Sequence, residues 1–228
     1  MISLPPNLEA KLKITGEYSH KGGKDYIVER HSSELDEVIA SIEQMDSLEA
    51  LAKKSSEKTK SPLLFSPIVM NQQIKNYLHP LGWTEHSSGK KGFSEPRVYF
   101  EGNQFREMDG IKNKVGLEIQ FGKYAFMGYD IFSKMPIFAK KGLITCGIEV
   151  VVMPSMVKNM STGVSSFIQI KTDMEARGVA DIDIPTLILG FECSEEEWVL
   201  VQEKRETFKR NPGAISLKSL SGTKPGPK

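Results

Sequence analysis

The chain has 228 residues, 39% of them hydrophobic and 26% charged, enough to bury a core without disulfide or metal staples. Its 30 basic and 29 acidic residues leave a net charge of +1, which excludes a polyelectrolyte-like protein, and two cysteines exclude a disulfide scaffold. No apolar run is long enough to span a bilayer and Met-Ile-Ser-Leu-Pro-Pro does not read as a signal peptide, so a soluble, cytoplasmic protein with no membrane partner is expected.

Leu35, Val38, Ile39, Ile42, Met45, Leu48 and Leu51 follow helical spacing and predict an amphipathic helix over 34–53, with Ser33 as its cap. Residues 53–61 read as a loop. There Lys53, Lys54, Lys58 and Lys60 surround a lone Glu57, a patch suited to phosphates or simply to solvent. Ser66-Pro67 opens a second helix to about Leu78, with serine as N-cap and proline at the first helical position; Pro80 and Gly82 end it. Residues 86–97 read as loop, and Val98–Phe100 as a short strand.

The stretch from Met108 to Lys123 carries the chemistry. In a strand over 115–121, Val115, Leu117, Ile119 and Phe121 share one face, and Gly116, Glu118 and Gln120 the other. A carboxylate and a carboxamide on an otherwise apolar strand are costly to bury unless they bind something. Asp109 lies far enough upstream for a turn to return it alongside. Two carboxylates, an amide and the Ile119 carbonyl would then converge on one point, which suits a hard cation such as Mg²⁺. Solvated edge-strand residues show the same spacing.

Downstream, residues 124–141 predict a mostly buried helix that Pro136 kinks or interrupts. Gly142 to Met153 reads as a central strand covered on both faces, 161–177 as a helix ended by Gly178, and Pro185 to Phe191 as another buried strand. Ser194 caps a last helix with acidic residues at 195–197. Cys146 and Cys193 read as buried small hydrophobes. Strands alternating with helices predict a mixed α/β sandwich, one domain over 1–210, followed by a flexible basic tail over 211–228.

Glu118-Ile-Gln-Phe-Gly-Lys-Tyr124, preceded by Asp109, resembles the metal-site strand of type II restriction endonucleases of the BglII/BstYI group, variants of the PD-(D/E)xK nuclease fold with glutamine in place of the usual lysine. Glu17-Tyr-Ser-His20, Glu57-Lys-Thr-Lys60, Phe65-Ser-Pro67, Leu81-Gly-Trp83, Tyr129-Asp-Ile-Phe132, Met160-Ser-Thr-Gly163 and Ile188-Leu-Gly190 resemble further stations of that group in the same order. The resemblance implies a mixed β-sheet flanked by helices in three layers. It also implies a homodimer that cuts double-stranded DNA, with Mg²⁺, at a palindrome centred on GATC. By position, Asp109, Glu118 and the Ile119 carbonyl would hold the metal, and Gln120 would orient the attacking water or a second metal. Glu85 would add a catalytic carboxylate. Lys58 and Lys60 would contact DNA, and Lys123, Ser161, Thr162 and Ser165 would read base edges, with Thr162 standing where serine is expected. The alternatives are a structure-directed repair or recombination nuclease of the same fold, and a DNA-binding protein without catalysis.

Overall fold

Strands buried on both faces read as unbroken apolar runs. Two such runs form the centre of a mixed five-stranded sheet in the computed structural model, which describes residues 10–83, 85–86 and 93–213. The strands are β1 (Leu12–His20), β2 (Gly110–Lys112), β3 (Val115–Ile119), β4 (Cys146–Val152) and β5 (Thr186–Cys193), in spatial order β1-β5-β4-β3-β2. β4 is parallel to both its neighbours, while β1 and β2 pair antiparallel at the edges.

Helices cover both faces. They are α1 (Gly23–Arg30), α2 (Ser32–Glu43), the single turn α3 (Ser47–Ala50), α4 (Pro67–Leu78), α5 (residues 124–140), α6 (Phe167–Arg177) and α7 (Glu195–Arg210), with a further single turn over Pro154–Val157 after β4. On one face Leu117, Val150 and Leu189 pack with Ile27 of α1, Val38 and Ile42 of α2, Ile74 of α4 and Val201 of α7. On the other, Val151 and Ile188 meet Met127 and Ile131 of α5 and Phe167 and Ile170 of α6. The mixed α/β sandwich expected from the alternation of elements, and the three layers implied by the resemblance, are found. No described helix is long and apolar enough to cross a membrane.

Two local features place the chemistry. A two-residue turn joins β2 to β3, with Asn113 at φ 46° and Lys114 at φ 68°, the left-handed pair that matches strand twist in tight hairpins. This turn returns Asp109 alongside β3. In α5, Pro136 has no N–H to continue the ladder. Instead of a kink, the helix widens to a π turn over Asp130–Lys134, with the Met135 N–H bonded to the Asp130 carbonyl, and resumes α geometry over Met135–Lys140. Beneath it, a Cβ on Gly147 would lie 2.4 Å from the Met135 sulfur, so the Met135 side chain fills the space that glycine leaves between α5 and β4.

Several boundaries differ from those read in the sequence. The helix expected over 34–53 is two: α2 begins at Ser32 with His31 at the N-cap, and Asp46 accepts from the Glu49 N–H to cap α3. Ser33 bonds Glu34 rather than capping. A short-range acceptor at Asp46 outcompetes helix continuation there. Lys53–Lys54 pairs with Leu63–Leu64 where a loop was expected. The helix expected from 161 starts at Phe167, because Ser166 and Gln169 form a capping box. β1 and α1 lie in a segment for which the residue pattern made no prediction. Of the expected tail, Asn211–Gly213 follow α7 and 214–228 lie outside the described residues.

Candidate active site

Glu118 is the fourth of the five residues of β3, on the face towards α5, and is 3% exposed. Burial pushes its carboxyl well above the ordinary range, the Asp109 charge adds to that, and Lys134 opposes both. The Lys134 ammonium, 2.8 Å from Glu118 Oε2, also lies 2.6 Å from Asp130 Oδ1. Burial would lower the Lys134 value, but its two carboxylate neighbours raise it, so the ammonium stays charged. Glu118 Oε1 is buried and has no hydrogen-bond partner. An unpaired carboxylate oxygen in an apolar setting is costly, and a bound cation removes that cost.

Asp109 comes back from the hairpin. Its Oδ2 accepts from the Ile119 N–H at 2.9 Å, and its Oδ1 lies 2.7 Å from Lys75 of α4. Lys75 also pairs with Glu95 at 3.0 Å. Burial would lower the Lys75 value, but Asp109 and Glu95 outweigh it and hold the ammonium up. Gln120 lies beyond the end of β3; its Oε1 accepts from the Gly122 N–H at 3.0 Å and its Nε2 donates to Asp130 Oδ2 at 3.1 Å. Asp109, Glu118, Gln120, Asp130 and Lys134 line a cleft of about 380 Å³ together with Tyr129, Phe126 and Asn71, whose Oδ1 is buried without a partner. A larger cavity of about 620 Å³, along α5 between Phe132 and Ile182, is mostly apolar and holds none of these carboxylates.

Among the described residues, no three His, Cys, Asp or Glu side chains close around a point as a ready-made metal cage. The donor set nonetheless fits Mg²⁺, which takes one or two carboxylates and completes its shell with water and substrate phosphate. Asp109 and Glu118 are the two carboxylates, Ile119 lines the same cleft, and the unpartnered Glu118 Oε1 is the oxygen left to bind. Glu85 lies in the short strand Glu85–His86, paired with Phe93–Ser94, but its side chain lies outside what the structure describes.

The basic loop and the 161–165 segment meet. Lys53 Nζ donates to Ser161 Oγ at 2.5 Å, the Thr162 N–H donates to Glu57 at 3.2 Å, and Lys60 Nζ reaches the Lys158 carbonyl at 3.4 Å. The Thr162 hydroxyl also donates to Glu57. Lys58 and Lys123 are exposed, and Lys123 forms a backbone bridge to Val164, three residues past Gln120. Ser165 is fully buried with its Oγ unpartnered, so as placed it cannot touch a base edge. Sequence reasoning missed Asp130, Lys134 and Lys75. The available signal was charge on otherwise apolar helices, at the i, i+4 spacing of Asp130 and Lys134.

This fold is that of a restriction-type endonuclease, a site-specific deoxyribonuclease. The family model for restriction endonuclease BglII/BglIII matches residues 15–191, and the chain belongs to that family. Among solved structures it is similar to BglII complexed with a DNA 16-mer (TM-score 0.58, 17% identity, covering 79% of this chain and 75% of that one). It is also similar to free BglII (TM-score 0.53, 18% identity, 79% and 78% covered). At such identities the likeness is one of fold. No curated protein sequence matches the chain.

Proposed function

We propose that the protein hydrolyses both strands of DNA at a palindromic site centred on GATC, as a Mg²⁺-dependent homodimer of the PD-(D/E)xK type. The observation that carries the chemistry is the buried Glu118 carboxyl beside Asp109, with Oε1 unpartnered at the cleft wall. The family supports cleavage of DNA, the motif resemblance to the BglII/BstYI group supports the GATC centre, and a two-fold dimer suits a two-fold site.

Asp109, Glu118 and the Ile119 backbone would hold Mg²⁺, which supplies Lewis-acid stabilisation of the phosphodiester's developing charge and acidifies a water. Lys134 and Lys75 offset carboxylate charge, so that the cleft admits a phosphate. Gln120 is neutral and accepts no proton. Lys58, Lys60 and Lys123 would contact phosphates or base edges, with Ser161 and Thr162 released from Lys53 and Glu57 to read the major groove. Glu85 remains a candidate for a third carboxylate.

Digestion of unmethylated plasmid of known sequence, with Mg²⁺ and with EDTA, tests this. Discrete Mg²⁺-dependent fragments ending at GATC-centred sites are expected. A Mg²⁺-dependent smear would replace the reading with a structure-directed nuclease, and intact plasmid in both tubes with a non-catalytic binder.

A further inference from the structure

Arg205 stands where a core side chain belongs. The buried positions of α7 are Glu197, Val201, Arg205 and Phe208, and Arg205 is 3% exposed. Burying a guanidinium is costly, and burial pushes its value down. Arg177 places two N–H groups on the Asp183 carboxylate, whereas Arg205 divides its donors between two separate segments of chain. Its Nε donates to the Leu63 carbonyl at 3.1 Å and its Nη1 to Asn159 Oδ1 at 2.7 Å. Leu63 closes the basic loop that begins at Lys53, and Asn159 leads into the segment that carries Ser161 and Thr162. The Phe65 N–H ties the same two segments by donating to the Asn159 carbonyl at 3.0 Å, and Leu63, Leu64 and Phe65 are buried. Farther out, the contacts of Lys53 with Ser161, Glu57 with Thr162 and Lys60 with the Lys158 carbonyl are exposed. Exposed polar contacts are individually weak, while buried ones are costly to leave unmade. The two segments therefore have a fixed root and exchangeable tips.

We propose that Arg205 is a positioning residue for sequence reading: its fork holds the basic loop and the 159–165 segment at one spacing, so that Lys58, Lys60, Ser161 and Thr162 meet DNA as a single surface. This deepens the proposed function and rests on its reading of those four residues as DNA contacts. When the tips exchange their protein partners for phosphates and base edges, the bonds at the root are the ones that keep the two segments in register. The chemistry of the side chain suits the task. A guanidinium presents several donors in one rigid plane and can serve two acceptors at a fixed angle, which the single ammonium of lysine does not reproduce. Side chains that read a ligand must be held to within about 0.5 Å by the residues that support them, and a brace at the root does this for both segments at once.

Kinetics on two DNA duplexes separate a brace from an ordinary core residue. One duplex carries the sequence at which the wild type cuts plasmid, and the other has a single base pair of it exchanged. Full-length wild type, Arg205→Met and Arg205→Lys are compared on both, with Mn²⁺ affinity and thermal melting followed in parallel. Arg205→Met is expected to raise KM on the first duplex about 10-fold, to keep kcat within about 2-fold, and to lose about 10-fold in discrimination between the duplexes, with Mn²⁺ affinity unchanged. Arg205→Lys should lose as much discrimination, since one ammonium cannot hold both acceptors. A loss of stability with wild-type KM and discrimination per folded molecule, or discrimination restored by Arg205→Lys, overturns the brace. Should Arg205→Met lose its cooperative melting transition, Asn159→Ala, which removes the second acceptor, replaces it with the same requirement. For a wild type that leaves DNA intact, discrimination is read as the ratio of Kd values for a GATC-centred duplex and its exchanged partner. A preference that the variants lose then upholds the brace and defeats the nuclease reading alone, and a preference that they keep overturns the brace. A wild type with no preference in cutting or in binding defeats both.

Discussion

Asp183 and Glu118 are both buried carboxylates near the α5 and α6 side of the sheet, and they are treated in opposite ways. Asp183 accepts two N–H bonds from Arg177 at 2.6 and 2.9 Å, one from His20 at 2.9 Å and one from the Ala180 N–H at 2.8 Å. Burial alone would raise its value, but these donors, Arg177 first, hold it far below the ordinary carboxylate range. Glu118 has one donor for two oxygens and is pushed up. Glu149, its in-register neighbour on β4, is completely buried with no partner on either oxygen. The difference separates carboxylates that hold the fold together from those left short of partners at the place where a ligand is needed.

The sharpest way to break this contrast is to delete one carboxylate of each kind. Glu118→Ala is expected to lower the cleavage rate by about a thousandfold, roughly 4 kcal/mol of barrier, while the protein stays folded and still binds DNA. A Glu118→Ala protein that cuts normally would remove the site. Asp183→Ala should do the reverse, destabilising the protein by about 2–3 kcal/mol because Arg177 and His20 lose their acceptor, with residual cleavage per folded molecule unchanged. Because the folded-state value of Asp183 is depressed, its contribution is fully present above the unfolded value and is lost as pH falls. Urea midpoints of wild type and variant should therefore differ at pH 7 and begin to draw together only as pH falls below the unfolded value, about 4.

An intermediate case grades the comparison. Glu197 of α7 is 3% exposed and takes a side-chain hydrogen bond from the Ser47 hydroxyl on α3. Ser47→Ala should cost about 1.5 kcal/mol in chemical denaturation, less than Asp183→Ala because one donor is lost instead of the centre of a network. A loss equal to that of Asp183→Ala would mean that donor count does not govern these sites.

The sequence pattern conveyed the central strands, the Ser66 and Ser194 caps and the pairing of Asp109 with Glu118, because these rest on local periodicity, cap chemistry and a tight hairpin. It did not convey Lys134 or Asp130. Their role depends on α5 lying over β3 and on a π turn created by a proline, which are tertiary facts. The same limit explains the helix over 34–53: its apolar spacing continues through Asp46, and only the cap made there divides it. Ser165 stands among the base readers only by its position in the family resemblance, and nothing in the pattern around it signals that it is fully buried. Glu149 was within reach. It is the lone charge in the apolar run Cys146–Val152, the same anomaly that singled out Glu118.

Glu149 also gives the finest test of the contrast, since it carries the feature of Glu118 without a donor of its own. Burial raises its carboxyl well above the ordinary range, and the negative charges of Asp130 and Glu118 push it further. In the folded protein it therefore keeps its proton at pH values where the unfolded chain has released it. The unfolded state then binds fewer protons, so stability falls as pH rises above the unfolded value, by up to about 1.4 kcal/mol per pH unit, until the folded-state value is reached. Glu149→Gln removes this term while keeping size and shape, and its amide is neutral throughout. Relative to wild type, the variant should gain stability as pH rises above about 5, whatever the fixed cost of its unpartnered amide. Parallel curves over that range would mean that Glu149 is ionised and paired in solution. The under-satisfied class would then shrink to Glu118 alone.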